Sequence, residues 1–160
     1  MTSAATHPDE RTSKMKRTTA ILALAALAVT TLPALAEPIP ATMLKNPSCS
    51  CCETYAAYLE QNGFKVDIKP TNDLEQLSAN LGVPPSVQGC HNVEIGGYLI
   101  TGFVPVDAIN KMLKERPAIT GIALAGMPMG SPGMGGQKMQ PFTIQAFTLD
   151  SAPPTTYMVE

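Results

Sequence analysis

The chain has 160 residues, with 11 Lys and Arg against 13 Asp and Glu, so its formal net charge at pH 7 is −2. A slightly acidic chain with no basic stretch after residue 17 gives no reason to expect a nucleic-acid partner. The residues that stand out are four cysteines, three of which lie within four positions.

Residues 1–36 have the three regions of a secretory signal peptide. A positively charged region is followed by an apolar stretch at 20–29 and by small residues before a cleavage point after Ala36. The apolar stretch is too short to cross a bilayer comfortably, so we predict that the segment is removed and leaves no stable membrane insertion. Met15 is an alternative start. One mature domain, residues 37–160, would remain.

The mature segment first alternates between strand and helix patterns. The predicted elements are a strand at 41–44, a helix at 52–61, a strand at 64–68, a helix from a capping box at Asn72–Glu75 to Gly82, a hairpin of strands at 93–95 and 98–100, and a helix from Pro105 to Arg116. Asn62-Gly63 stops the first helix, and Gly96-Gly97 gives the hairpin a two-residue turn.

The C-terminal part differs in character. Residues 125–141 are rich in Gly, Met and Pro and predict a loop, after which a strand at 142–149 can pair with one at 155–159. The preceding order β-α-β-α-β-β-α resembles the thioredoxin-like arrangement. We therefore predict an α/β fold with a thioredoxin-like mixed sheet flanked by helices, to which the loop and the C-terminal strands are added.

Two short clusters carry the chemistry of the sequence. The first is Cys49-Ser50-Cys51-Cys52 at the start of a predicted helix, and the second is Cys90-His91 after a Pro-rich loop. Thiolates and imidazole at this density are typical of thiophilic metal sites or of thiol redox chemistry.

Disulfides are one interpretation, because export would place the cysteines in an oxidising compartment. Cys51 and Cys52 are adjacent, with Cα atoms ~3.8 Å apart, which is shorter than disulfides normally tolerate. A Cys49–Cys51 bond would close a tight ring. Cys49–Cys52 is feasible and would leave Cys51 to meet Cys90, so an exported domain with two structural disulfides is an alternative.

A thiol–disulfide oxidoreductase that uses Cys49 and Cys52 is a second alternative. The pair has C-x-x-C spacing at a helix N-terminus, which lowers the pKa of a thiol. Cys51 would compete with the resolving cysteine, however, and Cys90-His91 would have no evident use. An enzymatic activity is therefore less favoured than binding.

Metal binding uses all five donors. Zinc is an alternative that four donors would satisfy, whereas a sulfur-rich site suits Cu(I). Adjacent ligands cannot easily converge on one ion but can bridge several, which favours a multinuclear Cu(I) thiolate cluster. Met127, Met129 and Met134 of the loop either add thioether ligands or only fill space in the packing.

Six motifs of the sequence occur together in one known family. They are Asn46-Pro-Ser-Cys-Ser-Cys-Cys52, Gly82-Val-Pro-Pro85, Gly89-Cys-His91, Gly96-Gly-Tyr98, Gly102-Phe-Val-Pro105 and Gly126-Met-Pro-Met-Gly-Ser-Pro-Gly-Met134. Through them the chain resembles the CopG-type periplasmic copper-resistance proteins, thioredoxin-like metal-binding proteins often catalogued as a domain of unknown function. The likeness extends from about Ala41 to Phe147.

The resemblance implies copper handling in the periplasm of a Gram-negative-type envelope, alongside copper-efflux components and with Cu(I)/Cu(II) cycling. The implied ligands are Cys49, Cys51, Cys52, Cys90 and His91. Ser50 stands where the family pattern has Gly, and Tyr55 where Trp is common. Neither departure removes a metal donor.

Overall fold

Seven strands form one mixed sheet in the order β2-β1-β3-β4-β5-β6-β7. The computed structural model describes Met1, residues 37–150 and residues 152–160. The predicted signal peptide and the alternative start at Met15 lie outside the described residues. The strands are β1 (Ile39–Lys45), β2 (Phe64–Pro70), β3 (His91–Ile95), β4 (Tyr98–Gly102), β5 (Gly121–Leu124), β6 (Thr143–Phe147) and β7 (Thr155–Val159).

The pairing is parallel for β1 with β2 and for β4 with β5, and antiparallel at the other four junctions. Three helices accompany the sheet in the described residues: α1 (Ser50–Gln61), α2 (Leu74–Asn80) and α3 (Val106–Glu115). The predicted α/β class, with a mixed sheet and added C-terminal strands, is confirmed. The narrower thioredoxin-like assignment stays a prediction.

The sheet has a hydrophobic core on each of its two faces. Met43, Val93, Ile100 and Ile122 lie opposite one another across β1, β3, β4 and β5, and they share a core with buried residues of α1 and α3. The opposite face is covered by the segment that follows α2, through the side chains Leu81, Val83 and Val87, which pack on Leu99, Ala123 and Phe147. Because side chains alternate along a strand, the two cores lie on opposite sides of the sheet.

The helix ends agree closely with the sequence signals. α1 begins at Ser50, two residues before the predicted start, and Asn62 and Gly63, with φ of 89°, end it. α3 follows Pro105 and ends at Arg116, which is left-handed with φ of 51°. The hairpin turn uses two consecutive glycines with positive φ, as the prediction required.

Two details of the sequence prediction are corrected. α2 runs over Leu74–Asn80 with Asp73 at its N-cap and no side-chain cap hydrogen bond, so the capping box at Asn72–Glu75 is wrong. The N–H of Asp73 is bonded instead to the Thr71 hydroxyl. Strand β5 was not predicted, because its four residues are all buried and show no alternation.

None of the helices in the described part of the chain is long and apolar enough to span a membrane.

Candidate metal centre

The register of β1 against β3 brings the two cysteine motifs together. Lys45, the last residue of β1, lies opposite His91, the first residue of β3. One residue further on, the N–H of Asn46 donates to the carbonyl oxygen of Cys90 at 3.1 Å. The loop from β1 to α1 therefore lies beside the segment that enters β3.

Four sulfur atoms meet at this point. The Sγ atoms of Cys49, Cys51, Cys52 and Cys90 all lie within 4.8 Å of one another. The Cys90 sulfur is 3.2 Å from that of Cys49 and 3.3 Å from that of Cys52, while the Cys51 sulfur is 3.4 Å from that of Cys49. Cys52 is buried and the other three are partly exposed, so the cluster is open to solvent on one side.

The structure contains the C-x-x-C disulfide between Cys49 and Cys52, whose Cα atoms are 5.4 Å apart. Cys51 and Cys90 are free thiols. The feasible pairing is thus present, but the second disulfide of the two-disulfide alternative, Cys51–Cys90, is not formed.

Cys90 approaches this disulfide from the side. Its nearly equal distances of 3.2 and 3.3 Å to the two bonded sulfurs place it beside the middle of the bond. A thiolate that attacks a disulfide approaches along the S–S axis, because the leaving sulfur departs on the opposite side. The position of Cys90 therefore suits shared ligation with both reduced cysteines better than disulfide exchange.

His91 presents a defined nitrogen to the cluster. Its side chain is fully buried between the rings of Tyr55 and Phe103, each with its centroid 5.0 Å away. Nε2 lies 3.1 Å from the Gly102 carbonyl oxygen, which can only accept, so Nε2 carries the hydrogen. Nδ1 therefore holds the lone pair, 3.8 Å from the Cys90 sulfur.

The electrostatics of the site act on both members of the second motif. Burial lowers the pKa of His91 to about 4, so the ring is neutral, as ligation requires. The pKa of Cys90 is raised, first by burial and then by the neighbouring Cys51, while the Lys45 ammonium opposes the increase. Metal binding at Cys90 would replace the thiol proton.

Lys45 is a residue of the site that sequence reasoning missed. It is 1 % exposed, and its Nζ donates to the carbonyl oxygens of Asn46 and Pro47, both at 3.1 Å. The same atom lies 3.3 Å from an exposed carboxylate oxygen of Glu53 in the first turn of α1. The sequence does indicate that this lysine is buried, because Lys45 follows Ala41 and Met43 at every second position of β1, on the side that faces the core.

The methionines of the loop are placed unequally. Met134 is half-buried and packs on the same core as Cys49, Cys51 and Cys90. Met127 and Met129 are 49 % and 62 % exposed, and only the first shares a cavity with a cysteine. Gly133 holds the loop against α1: a Cβ there would lie 3.0 Å from the Cys51 carbonyl oxygen.

The chain is similar to known proteins over most of its described length. The family described as a protein of unknown function, DUF411, matches residues 87–134. Two solved structures, copper resistance protein CopG in form 2 and form 1, each have a TM-score of 0.70 and 34 % identity. Each match covers 78 % of this chain. It also covers 99 % of the form 2 chain and 98 % of the form 1 chain. No curated protein matches. With this identity over nearly the whole length of those relatives, the chain belongs to the family of CopG copper resistance proteins.

Proposed function

We propose that the protein sequesters Cu(I) through Cys49, Cys51, Cys52, Cys90 and His91, and thereby contributes to copper resistance. The observation that carries the proposal is the meeting of four sulfur atoms within 4.8 Å at the start of α1. The relatives are named copper resistance proteins, which agrees with a copper ligand set.

The donor chemistry favours Cu(I) over zinc. Thiolates select Cu(I), and a cluster of four thiolates with an adjacent imidazole exceeds the four donors that zinc requires. Cys51 and Cys52 are neighbours in sequence, yet one is partly exposed and the other buried, so their side chains leave the helix in different directions. Bridging of two or more ions uses both, which supports a multinuclear cluster.

The Cys49–Cys52 disulfide sets the conditions for binding. Two electrons and two protons must reduce it before both residues can become ligands. Conversely, the dithiolate could reduce two Cu(II) ions to two Cu(I) ions while the disulfide forms. The same two sulfurs cannot act as reductant and ligand at once, so copper cycling and full occupancy belong to different oxidation states of the protein.

The cellular setting is part of the proposal. The signal-peptide pattern of residues 1–36 supports export to the periplasm, where the domain would hold copper ions until efflux components remove them. Holding copper in this way does not require catalytic turnover by the protein.

A thiol–disulfide oxidoreductase is the second candidate, favoured by the Cys49–Cys52 disulfide at the start of α1. It is tested with a Cys51→Ser/Cys90→Ser variant, which retains only the C-x-x-C pair. Efficient turnover of a disulfide substrate by this variant would favour the candidate, and its absence would leave the binding role.

The copper proposal is tested by anaerobic titration of the reduced protein with Cu(I), followed by metal analysis. Wild type should bind more than one Cu(I) per chain, and Ser50→Ala, which alters the motif without removing a donor, should match it. Cys90→Ser and His91→Gln should bind fewer ions or bind them more weakly.

Three results would count against parts of the proposal. Saturation at one Cu(I) ends the multinuclear form. Unchanged binding in both variants excludes the two-motif site. Tight zinc binding with weak Cu(I) binding excludes copper as the cargo. Circular dichroism of each variant establishes that it is folded.

A further inference from the structure

A cavity of about 340 Å³ lies beside the cysteine cluster. Cys90 is the cysteine that lines it, and Met127, Asn46 and Gln88 line it as well. We propose that Met127 and Cys90 form the entry point at which Cu(I) is first bound before it reaches the other three cysteines. This inference rests on the proposed function and adds a route of metal transfer to it.

Three glycines form part of the cavity wall. Gly89, Gly102 and Gly126 line it and contribute no side chain. Gly102 has a φ of 74°, and a Cβ there would lie 2.3 Å from the Leu124 carbonyl oxygen, so this position excludes any other residue. Gly126 has a φ of 82° and open space where a side chain would be. The loop and the end of β4 therefore line the same cavity.

The backbone of Met127 is held in an unusual conformation. Its φ is 47°, in the left-handed region that non-glycine residues rarely adopt. Outliers of this kind persist where the surroundings determine them, and they concentrate at ligand sites. Here Gly126, which adopts a positive φ of 82° that glycine tolerates, precedes Met127, and Pro128 follows and restricts the conformation of the residue before it. The result places a half-exposed methionine at a cavity that reaches a thiol.

The other methionines of the loop lack this combination. Met129 packs against the backbone of Gly136, where a built Cβ would lie 2.8 Å from the Met129 methyl carbon. Met139 is 82 % exposed and is not among the residues that line the cavity. Met134 is half-buried against the core. Met127 is therefore the methionine that is both exposed to solvent and part of the lining of the cavity that Cys90 also lines.

The transfer is a ligand exchange without a redox step. The neutral thioether is a soft but weak donor, so Cu(I) binds it reversibly and then moves to the stronger thiolate. At Cys90 a Cu–S bond forms, the thiol proton leaves to solvent, and the copper stays in the +1 state. Met127 thus sets the rate of loading, while the cysteines set the final affinity.

The test compares Met127→Leu with Met129→Leu and Met139→Leu in the reduced full chain. Each is mixed with a chromophoric Cu(I)–chelator complex in a stopped-flow instrument, and loss of the chelator colour gives the transfer rate. Met127→Leu should transfer copper more slowly, by roughly tenfold or more, at unchanged final stoichiometry. The two control variants should transfer it at the wild-type rate.

A second readout does not depend on the complete cluster. In oxidised Cys51→Ser protein the Cys49–Cys52 disulfide withholds two ligands and the substitution removes a third, so Ag(I), a redox-inert analogue of Cu(I), should remain at the entry point. The Met127 resonance of methyl-¹³C-methionine-labelled protein should then shift on Ag(I) addition, and those of Met129 and Met139 should not.

The outcomes separate this inference from the function on which it rests. A wild-type transfer rate in Met127→Leu, or an unshifted Met127 resonance, overturns the entry point while copper binding stands. A loss of final stoichiometry in Met127→Leu makes the residue a permanent ligand and also overturns it. Failure of wild type to bind Cu(I) removes the proposed function itself.

Discussion

His91 enters the candidate site as a neutral base whose tautomer is already selected. The Gly102 carbonyl oxygen takes the Nε2 hydrogen and leaves the Nδ1 lone pair on the side of Cys90. In metalloproteins, a hydrogen bond from the ring nitrogen that does not bind the metal orients the histidine. A metal ion would therefore displace no proton from His91, whereas it would displace one from Cys90.

Burial of the neutral ring predicts a loss of stability in acid. The folded-state pKa is about 4, against 6.5 for the free side chain. Because the folded pKa is the lower one, the contribution is complete above pH 6.5 and is lost as the pH falls towards 4. We expect the unfolding free energy of metal-free oxidised protein to fall by on the order of 3 kcal/mol across this window from His91 alone. Urea unfolding at a series of pH values measures it.

The matched control is His91→Gln, whose amide nitrogen can still donate to Gly102 but cannot take up a proton near pH 5. The difference between the pH dependences of the two proteins isolates the contribution of His91. Equal slopes for both would show that the imidazole can be protonated without leaving its pocket.

The sequence predicts which residue types form the candidate site, but it predicts only part of the contacts that those residues make. The five candidate donors could be named because three cysteines in four positions are rare and Cys90-His91 follows a loop signal. Lys45 was missed because its contacts with Asn46, Pro47 and Glu53 exist only once the loop has folded back on the strand.

At the scale of elements, the start of α1 is what concentrates the thiols. Cys49 occupies the N-cap, and Cys51 and Cys52 fall in the first turn. The unpaired N–H groups and the positive end of the helix dipole stabilise thiolates at these positions. The earlier start of the helix therefore makes the first turn a better thiolate site than the predicted start at Cys52 would have made it.

The loop of residues 125–141 is fixed to this turn through Gly133. Its φ is +88°, and an added Cβ would lie 3.0 Å from the Cys51 carbonyl oxygen and 3.1 Å from the Tyr55 nitrogen. Gly133→Ala should lower the unfolding free energy by about 1–3 kcal/mol, because backbone atoms of a helix cannot give way. Alkylation of Cys51 should become faster as the loop lifts away.

Gly135→Ala is the matched control for this change. Gly135 also has a positive φ, +65°, but nothing lies within 4 Å of an added Cβ. Gly135→Ala should therefore lower the unfolding free energy only by the amount that the positive φ costs an alanine, and it should not change the alkylation rate of Cys51. If both variants lose the same stability and alkylate alike, Gly133 does not anchor the loop.

Local signals explain which elements could be predicted from the sequence. The hairpin at Gly96-Gly97 and α3 between Pro105 and Arg116 depend on residues within a few positions of each element, and both were found. Strand β5 lies between β4 and β6, and the hydrophobic cores on the two faces of the sheet bury its side chains, so its residues show no alternation. The capping box failed because Thr71 bonds the N–H of Asp73 and moves the helix start onward by one residue.

At the scale of the whole molecule, the sheet order assembles the site. Antiparallel pairing of β1 with β3 brings Cys90 to the cysteines of the preceding motif, 38 to 41 residues away in sequence. No local pattern contains that register, so the sequence could predict two clusters but only suggest that they meet. A ligand shared by both motifs would hold the β1–α1 loop against the start of β3.

Metal binding should therefore stabilise the entire fold, and it should do so most strongly in the reduced state. A ligand that binds the folded protein alone adds RT ln(1 + [L]/Kd), which is about 2.7 kcal/mol when the free ion is at 100 times its Kd. We expect an increase of this order in the unfolding free energy of reduced wild type in buffered Cu(I), measured anaerobically by urea unfolding.

Two comparisons show whether the stabilisation comes from the joined motifs. Oxidised wild type keeps the fold but withholds Cys49 and Cys52 in a disulfide, so its metal-dependent increase should be much smaller. Cys90→Ser/His91→Gln keeps all three cysteines of the first motif and removes both proposed ligands at the start of β3. If that variant were stabilised by Cu(I) as strongly as wild type, the ion would be held by the β1–α1 loop alone, and the pairing of β1 with β3 would have no part in copper binding.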